Sequence, residues 1–355
     1  MNHSDLHYPF EQTVPATGDI MQIGKGINWV RMPLPFALNH INLWMLDDDL
    51  NGDPALSIVD AGVAIDPIRQ AWKKLWDEYG GKRPLARVLV THMHPDHVGN
   101  AHWLIQQFST TNAPARLWMS AADHLAAQLS CKETMGYGGE SATRFFRAHG
   151  LKDETSLAKI EQRSGYYASM VPEVPRVYRR MLDGMDIRIG NRTWRCLTGY
   201  GHSPEHISLF DAENGILISG DMLLPRISTN ISVINLEPES DPLGLYLDSL
   251  DRLTALPPET LVLPSHGYPF VGIQARVEQL KAHHQARLAD VMQACKEAPK
   301  SAAELLPVLF KRELDLHQTT FAMGESIAHL NYLWHRGQLH RHQSHDGTWR
   351  FSQES

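Results

Sequence analysis

Residues 88 to 97 read Val-Leu-Val-Thr-His-Met-His-Pro-Asp-His, an apolar run that passes straight into three histidines and an aspartate. No other stretch restricts the fold as tightly. Consecutive valine and leucine side chains suit a strand covered on both faces. The polar residues begin where such a strand must reach the surface, and strand tips of α/β sheets are where sites are built. Side chains two apart in extended backbone point the same way, so His92 and His94 can converge on one point. Pro95 favours a turn that would swing Asp96 and His97 round to a neighbouring point. Two such pairs suit two adjacent metal ions better than one. The chain holds 20 histidines, so a chance surface loop is the competing explanation; the tightness of the cluster argues against it.

Three later runs end in the same way. Thr198-Gly-Tyr-Gly-His-Ser-Pro-Glu-His places His202 in a glycine-containing turn between two expected strands, and Ile216-Leu-Ile-Ser-Gly ends at Asp221. Leu261-Val-Leu-Pro-Ser-His-Gly ends at His266. A carboxylate at the end of a buried strand needs a partner, because burying it unpaired is expensive. Each residue alone has an ordinary structural explanation. Together they bring seven ligand-type side chains from four strand-end loops.

The rest of the pattern predicts an α/β protein. Strands are expected at Ile27–Phe36, His40–Asp48, Ala55–Val63, 87–90 and 115–120, and again through 185–190, 193–199, 206–210 and 216–220. Apolar residues at helical spacing from Ile65 to Tyr79 predict a helix opening at Asp66-Pro67 and stopping at Gly80-Gly81. Residues 121–183 predict a mostly helical insert with many bulky groups, Met135, Tyr137, Phe145, Phe146, Tyr166 and Tyr178 among them. A long amphipathic helix is expected over about 271–296. Ser301 and Glu304 fit a capping box, and a helix to Trp334 and a hairpin turning at Asp346-Gly347 follow. That divides the chain into a catalytic domain, 1–296, and a small winged-helix-like module, 297–355.

Composition excludes several classes. Three cysteines without Cys-x-x-Cys spacing argue against a disulfide framework or a cysteine-built zinc site. No apolar stretch approaches the roughly 20 residues that span a bilayer, and residues 1–20 lack the apolar core of a secretory signal. A cytoplasmic protein is the expectation. The net charge of -7 disfavours nucleic acid, and the densest basic spots in sequence are single pairs, Lys73-Lys74 and Arg179-Arg180.

The order His-x-His-x-Asp-His, Gly-His-x-x-x-His, Gly-Asp and Ser-His-Gly resembles the metallo-β-lactamase superfamily, in the branch with glyoxalase II and bacterial lactonases. Ser57-Ile-Val-Asp-Ala-Gly matches that superfamily's early strand-end aspartate, here Asp60. The resemblance covers roughly residues 20 to 290 and implies an αββα sandwich with its site at one edge. It implies that His92, His94 and His202 hold one metal, that Asp96, His97 and His266 hold the other, and that Asp221 bridges them. His206 and Asp60 would orient loops and ligands. Two divalent ions are implied, zinc first, with manganese or iron tolerated by the same donors. They would make hydroxide available at neutral pH, and Asp96 would orient it and pass its proton on, with His206 as the second candidate catalytic residue.

The substrate is less legible, because this fold serves many. Similar lactonases carry a tyrosine shortly after the bridging aspartate, where this chain has leucine in Asp221-Met-Leu-Leu-Pro-Arg. Arg226 and Asn230 are candidate substrate contacts, with a loop-fixing ion pair the competing role for Arg226. Phe145 and Tyr166 of the insert are candidates for an apolar wall beside the metals. The leading expectation is a hydrolase of a small ester, thioester or lactone with a hydrophobic part. The alternatives are a ribonuclease-like nuclease and an iron-dependent sulfur dioxygenase. In residues 301–355, five lysines and arginines face six acids. The tail is therefore expected to serve packing or homodimer formation, not RNA.

Overall fold

The computed structural model describes every residue except 1–5, 12, 37, 113, 133–135, 137, 354 and 355. Met135 and Tyr137 of the expected insert therefore lie outside the described residues. The first sheet has seven strands in sequence order: β1 (Ile20–Gly24), β2 (Ile27–Pro33), β3 (His40–Leu50), β4 (Asp53–Val59), β5 (Leu85–Leu89), β6 (Arg116–Met119) and β7 (Tyr178–Arg180). It is antiparallel up to β4 and parallel from β4 to β7. Parallel pairing requires crossovers. Helices α1 (Asp66–Leu75), α2 (Pro95–Val98), α3 (Ala101–Phe108) and α4 (Ala121–Ser130) supply them, together with α5 (Gly139–Ala148), α6 (Glu154–Glu161) and α7 (Tyr166–Met170).

The second sheet contains β8 (Asp186–Ile189), β9 (Arg192–Gly199), β10 (His206–Asp211), β11 (Ile216–Gly220), β12 (Leu261–Pro264) and β13 (Phe270–Val271), in the order 13-12-11-10-9-8. Helix α8 (Pro242–Leu253) crosses between the parallel pair β11 and β12. Helices α9 (Ile273–Glu297), α10 (Ala302–Leu309) and α11 (Leu316–His335) follow, then the hairpin β14 (His340–Gln343) and β15 (Trp349–Ser352). The capping box of Ser301 with Glu304 opens α10 as its spacing predicts. A second box, Asp315 with Gln318, opens α11.

Three apolar layers make the sandwich. Between the sheets, Trp29, Trp44 and Leu89 meet Trp194, Ile207 and Leu263. Alternation along β3 turns Leu43 and Met45 to the other face, where they pack with Trp72 of α1 and Leu104 of α3. Outside the second sheet, Leu217 and Val262 pack with Val277, Leu305, Met323 and Phe351. The tail thus shares one core with α8 and α9, and Phe146, Leu157 and Ile160 of the insert enter that same core. Tyr178, expected within the mostly helical insert, instead opens edge strand β7. Among the described residues no helix is long and apolar enough to cross a membrane.

Candidate metal centre

All four ligand loops leave the carboxyl ends of β5, β9, β11 and β12 and meet at one end of the sandwich. Pro95 is the first residue of α2, and this single turn carries Asp96 and His97 back toward His92. Gly220 permits a close approach: its φ is +53°, and a Cβ there would lie 2.3 Å from His206 Nε2.

Four of the imidazoles, those of His92, His97, His202 and His266, have Nδ1 held by an outer partner, which leaves Nε2 to point inward. His97 Nδ1 lies 2.8 Å from Asp60 Oδ2, and His266 Nδ1 lies 2.8 Å from the His40 carbonyl. His202 Nδ1 faces the Asn230 carbonyl at 2.8 Å, with Thr229 Oγ1 at the same distance. A carbonyl only accepts, so His202 Nδ1 carries the proton and Nε2 carries a lone pair. That lone pair sits 3.1 Å from His92 Nε2, and His92 Nε2 in turn is 2.9 Å from His94 Nδ1. Burial first, then the neighbouring imidazoles, hold His92 well below its ordinary pKa and His94 down to about 3. Three ring nitrogens turned on one point suit a cation there.

The second grouping brings carboxylates to the imidazoles. Asp96 Oδ2 lies 3.6 Å from His97 Nε2 and 3.5 Å from His266 Nε2. Burial opposes charge on these two rings, but Asp60, Asp96 and Asp221 outweigh it for His97, raising it to about 9, and Asp221 and Asp96 raise His266 to about 10. Burial would raise Asp96, yet His97 and His266 bring it down to about 2. Asp221 spans the two groupings: Oδ2 is 3.4 Å from His202 Nε2, whereas Oδ1 is 3.6 Å from His97 Nε2 and 3.4 Å from His266 Nε2. His97 Nε2 and Asp221 Oδ1 are buried without a hydrogen-bond partner. Such orphaned atoms are costly, and a divalent ion satisfies both. The donor triads His92/His94/His202, His92/His97/Asp221 and Asp96/His97/His266 each lie within 4.8 Å, so the residues fit the metals.

The comparisons with known proteins agree. The metallo-beta-lactamase superfamily model matches residues 39–266, a span that holds all seven candidate ligands. The chain belongs to the metallo-beta-lactamase superfamily. A metallo-beta-lactamase-like C-terminal domain matches residues 288–354, beginning inside α9. The probable metallo-hydrolase YqjP of Bacillus subtilis is 28% identical over 86% of this chain and 91% of its own. An acyl-coenzyme A thioesterase of Gallus gallus is 28% identical over 69% of this chain and 78% of its own. Among solved structures, a beta-lactamase domain protein from Burkholderia ambifaria is 48% identical, covers 99% of both chains and has a TM-score of 0.93. This superfamily protein is accordingly a metal-dependent hydrolase.

Outer residues hold this arrangement, and all but Asp60 escape sequence reasoning. Asp60 accepts from the Thr91 amide and hydroxyl while holding His97, and it does so at a φ of +62°. Asp123 of α4 is buried; it accepts from the Met93 amide at 2.8 Å and the Glu205 amide at 2.6 Å, tying the His92–His94 bend to the turn before His206. Asn42 donates to the Pro264 and Gly267 carbonyls and fixes the His266 loop. Tyr167 donates to the Met93 carbonyl. Only Asp60 carried a local motif; the others act through tertiary contact.

Four expectations need correction or refinement. His206 is fully buried behind the ligands, where its Nε2 accepts from the Asp221 amide at 3.1 Å. It positions Asp221 and has no route to a substrate. Asn230 turns its side chain to Ser232, and its carbonyl orients His202. Arg226 is exposed and lies over the rings of Tyr8 and Tyr268, with no ion pair among the described residues. Phe145, 9% exposed, is packed against Phe146 and His149 in the outer core and forms no wall. Tyr166 stays out of that core. It meets His317 of α11 at 6.1 Å between centroids, and His317 stacks on Phe36 at 5.8 Å and contacts Phe321 at 4.7 Å.

Proposed function

We propose that the chain is a binuclear hydrolase that cleaves an ester, thioester or lactone of a small, partly apolar molecule, with acyl thioesters preferred. The observation that carries this reading is Asp221, whose two oxygens face the two donor groupings. Divalent ions there would supply a Lewis acid for the substrate carbonyl and an acidic water at neutral pH. Asp96, ionised at neutral pH and only partly buried, would accept the proton of the attacking water and return it to the leaving group. Tyr167 is no competitor for that role, because burial holds its hydroxyl well above the ordinary range and Met93 engages it.

The apolar preference rests on the cluster of Phe36, Tyr166, His317 and Phe321. Each of its supports leads back to the site. Phe36 precedes His40, which holds His266. Tyr166 precedes Tyr167, which holds the Met93 carbonyl. Ser232, which anchors Asn230, reaches the Phe321 carbonyl at 3.4 Å. The tail thereby contributes an aromatic wall as well as packing. The similarity to an acyl-coenzyme A thioesterase supports a thioester over the other acyl compounds.

Purified, metal-loaded protein assayed against acyl thioesters, esters, lactones and short RNAs tests the reading. Thioesters should lead, with about two metal equivalents per chain. RNA cleavage faster than every acyl substrate, lost in His94→Ala, would favour the nuclease. One iron with oxygen uptake would favour the dioxygenase.

A further inference from the structure

The structure assembles a basic groove that the sequence hides. In-register pairing places Arg87 of β5 beside Arg116 of β6, and Trp118 of β6 beside Arg179 of β7. Arg188 of β8 closes the groove from the second sheet, and the whole encloses about 450 Å³. In sequence the densest basic spots are only single pairs. The four arginines are far apart in sequence, and only strand register unites them.

Arg87 is committed: it pairs with Asp48 at 2.8 Å. Arg116, Arg179 and Arg188 have no carboxylate partner among the described residues, and the acid that lines the groove, Asp186, is taken by Arg195 at 2.9 Å. Three arginines without a carboxylate partner among the described residues therefore line one open cavity in a chain of net charge -7, with Arg188 Nε donating to the Gly190 carbonyl at 3.1 Å. Their mutual repulsion is relieved by an anion, and their planar forks match the oxygens of a phosphate. The ring of Trp118 is covered by Arg87 at 5.1 Å and Arg179 at 4.5 Å. Buried and engaged by both arginines, that ring is a poor platform for the base stacking that single-stranded nucleic-acid sites use. The groove lies toward the strand starts, and His92 is five residues beyond Arg87, roughly 16 Å of extended chain.

We propose that Arg116, Arg179 and Arg188 form a binding site, separate from the metal centre, for a small phosphate-bearing molecule. Calorimetric titration of the metal-loaded full chain with inorganic pyrophosphate and with ADP tests this, compared with Arg116→Gln/Arg179→Gln. Both arginines are exposed, so the variant should keep its melting temperature and its hydrolytic rate. The expected result is a binding event weakened at least tenfold in the double variant and by added salt. Pyrophosphate binding as tightly as ADP assigns recognition to the phosphates alone; tighter ADP binding assigns it to a nucleotide. Anion binding at the metals persists in both proteins and drops out of the difference. Identical titrations in the two proteins would overturn the proposal, as would a ten-nucleotide RNA that binds more tightly than either probe and is lost in the same variant. Arg188→Gln provides an independent check, with the same loss expected.

Discussion

Among the described residues two histidine clusters are buried, and one of them is built for metal. In the metal centre, Asp96 and Asp221 converge on inward-facing nitrogens, and outer partners fix the opposite side of the rings. Between α9 and α11, His284 Nδ1 and His329 Nε2 meet at 3.4 Å, with His283 alongside. Burial pushes His284 down to about 3 and His329 to about 4. The carboxylate nearest in sequence, Glu325, offers His329 its backbone carbonyl. All three donor groupings with metal spacing among the described residues lie in the first cluster. Histidine density therefore does not make a metal site. Carboxylates placed to offset an ion's charge do, together with pinned ring tautomers.

The sharpest way to break the contrast is to take the carboxylates from the metal centre. Asp221→Ala leaves Asp96 as the inward carboxylate facing His97 and His266 and none facing His202. It should bind at most one metal equivalent and lose more than about a hundredfold in activity, since ligand loss exceeds the cost of losing an outer partner. Elemental analysis beside a rate assay checks it; two retained equivalents would remove Asp221 from the bridging position. Asp96→Asn probes the same charge more finely. Turnover should fall further than metal content, and equal losses would reduce Asp96 to a ligand only.

Next in size is the outer support. Asp60→Asn weakens the pinning of His97 while leaving every donor in place. Metal affinity should drop by about 10- to 100-fold, measurable by competition with a chelating dye. The same substitution has no counterpart in the α9–α11 cluster, where no carboxylate orients a ring. An unchanged affinity would show that backbone geometry alone fixes His97.

The two clusters also differ in how they were written in the sequence. Ligands at strand tips are legible because an apolar run followed by a polar residue is a local signal, as at Val90 to His92 or Gly220 to Asp221. Helix starts at Pro95 and Ser301 are local too. Asp123, Asn42 and Tyr167 are not, because each reaches a site loop from more than 20 positions away. Phe145 and Tyr166 illustrate the same limit. Both are aromatic residues on helices of one insert, and only packing decides that one enters the core while the other meets His317 at the mouth. The arginine groove depends on register, which no window of sequence contains.

A smaller effect sharpens the role of that mouth. If Phe321 and Phe36 line the acyl path, kcat/KM should rise about fourfold per added CH₂, from roughly 0.8 kcal/mol each. Phe321→Ala should flatten that slope while leaving metal content unchanged. Phe145→Leu, in the core, should lower stability and leave the slope alone. Equal slopes in wild type and Phe321→Ala would place the acyl group elsewhere.

The smallest effect expected is electrostatic and belongs to the metal-free cluster. Burial raises the Glu325 carboxyl to about 7, against 4.5 when exposed. Between those values the folded chain holds a proton that the unfolded chain releases, so this group's contribution to stability declines as pH rises from 4.5 to 7. His284 and His329 work in the opposite sense. They stay neutral in the fold down to about 3 and 4, while the unfolded rings charge below about 6.5. Their contribution is lost as pH falls through that window. Glu325→Gln removes one of the two opposing terms. Its stability relative to wild type should therefore increase steadily between pH 4.5 and 7 and level off above. Denaturant midpoints at pH 5, 6 and 7.5 decide the matter, because contributions from the metal ligands are common to both proteins and cancel. Parallel curves would mean that Glu325 titrates as an exposed carboxylate, and the cluster would then be no more than packed imidazole.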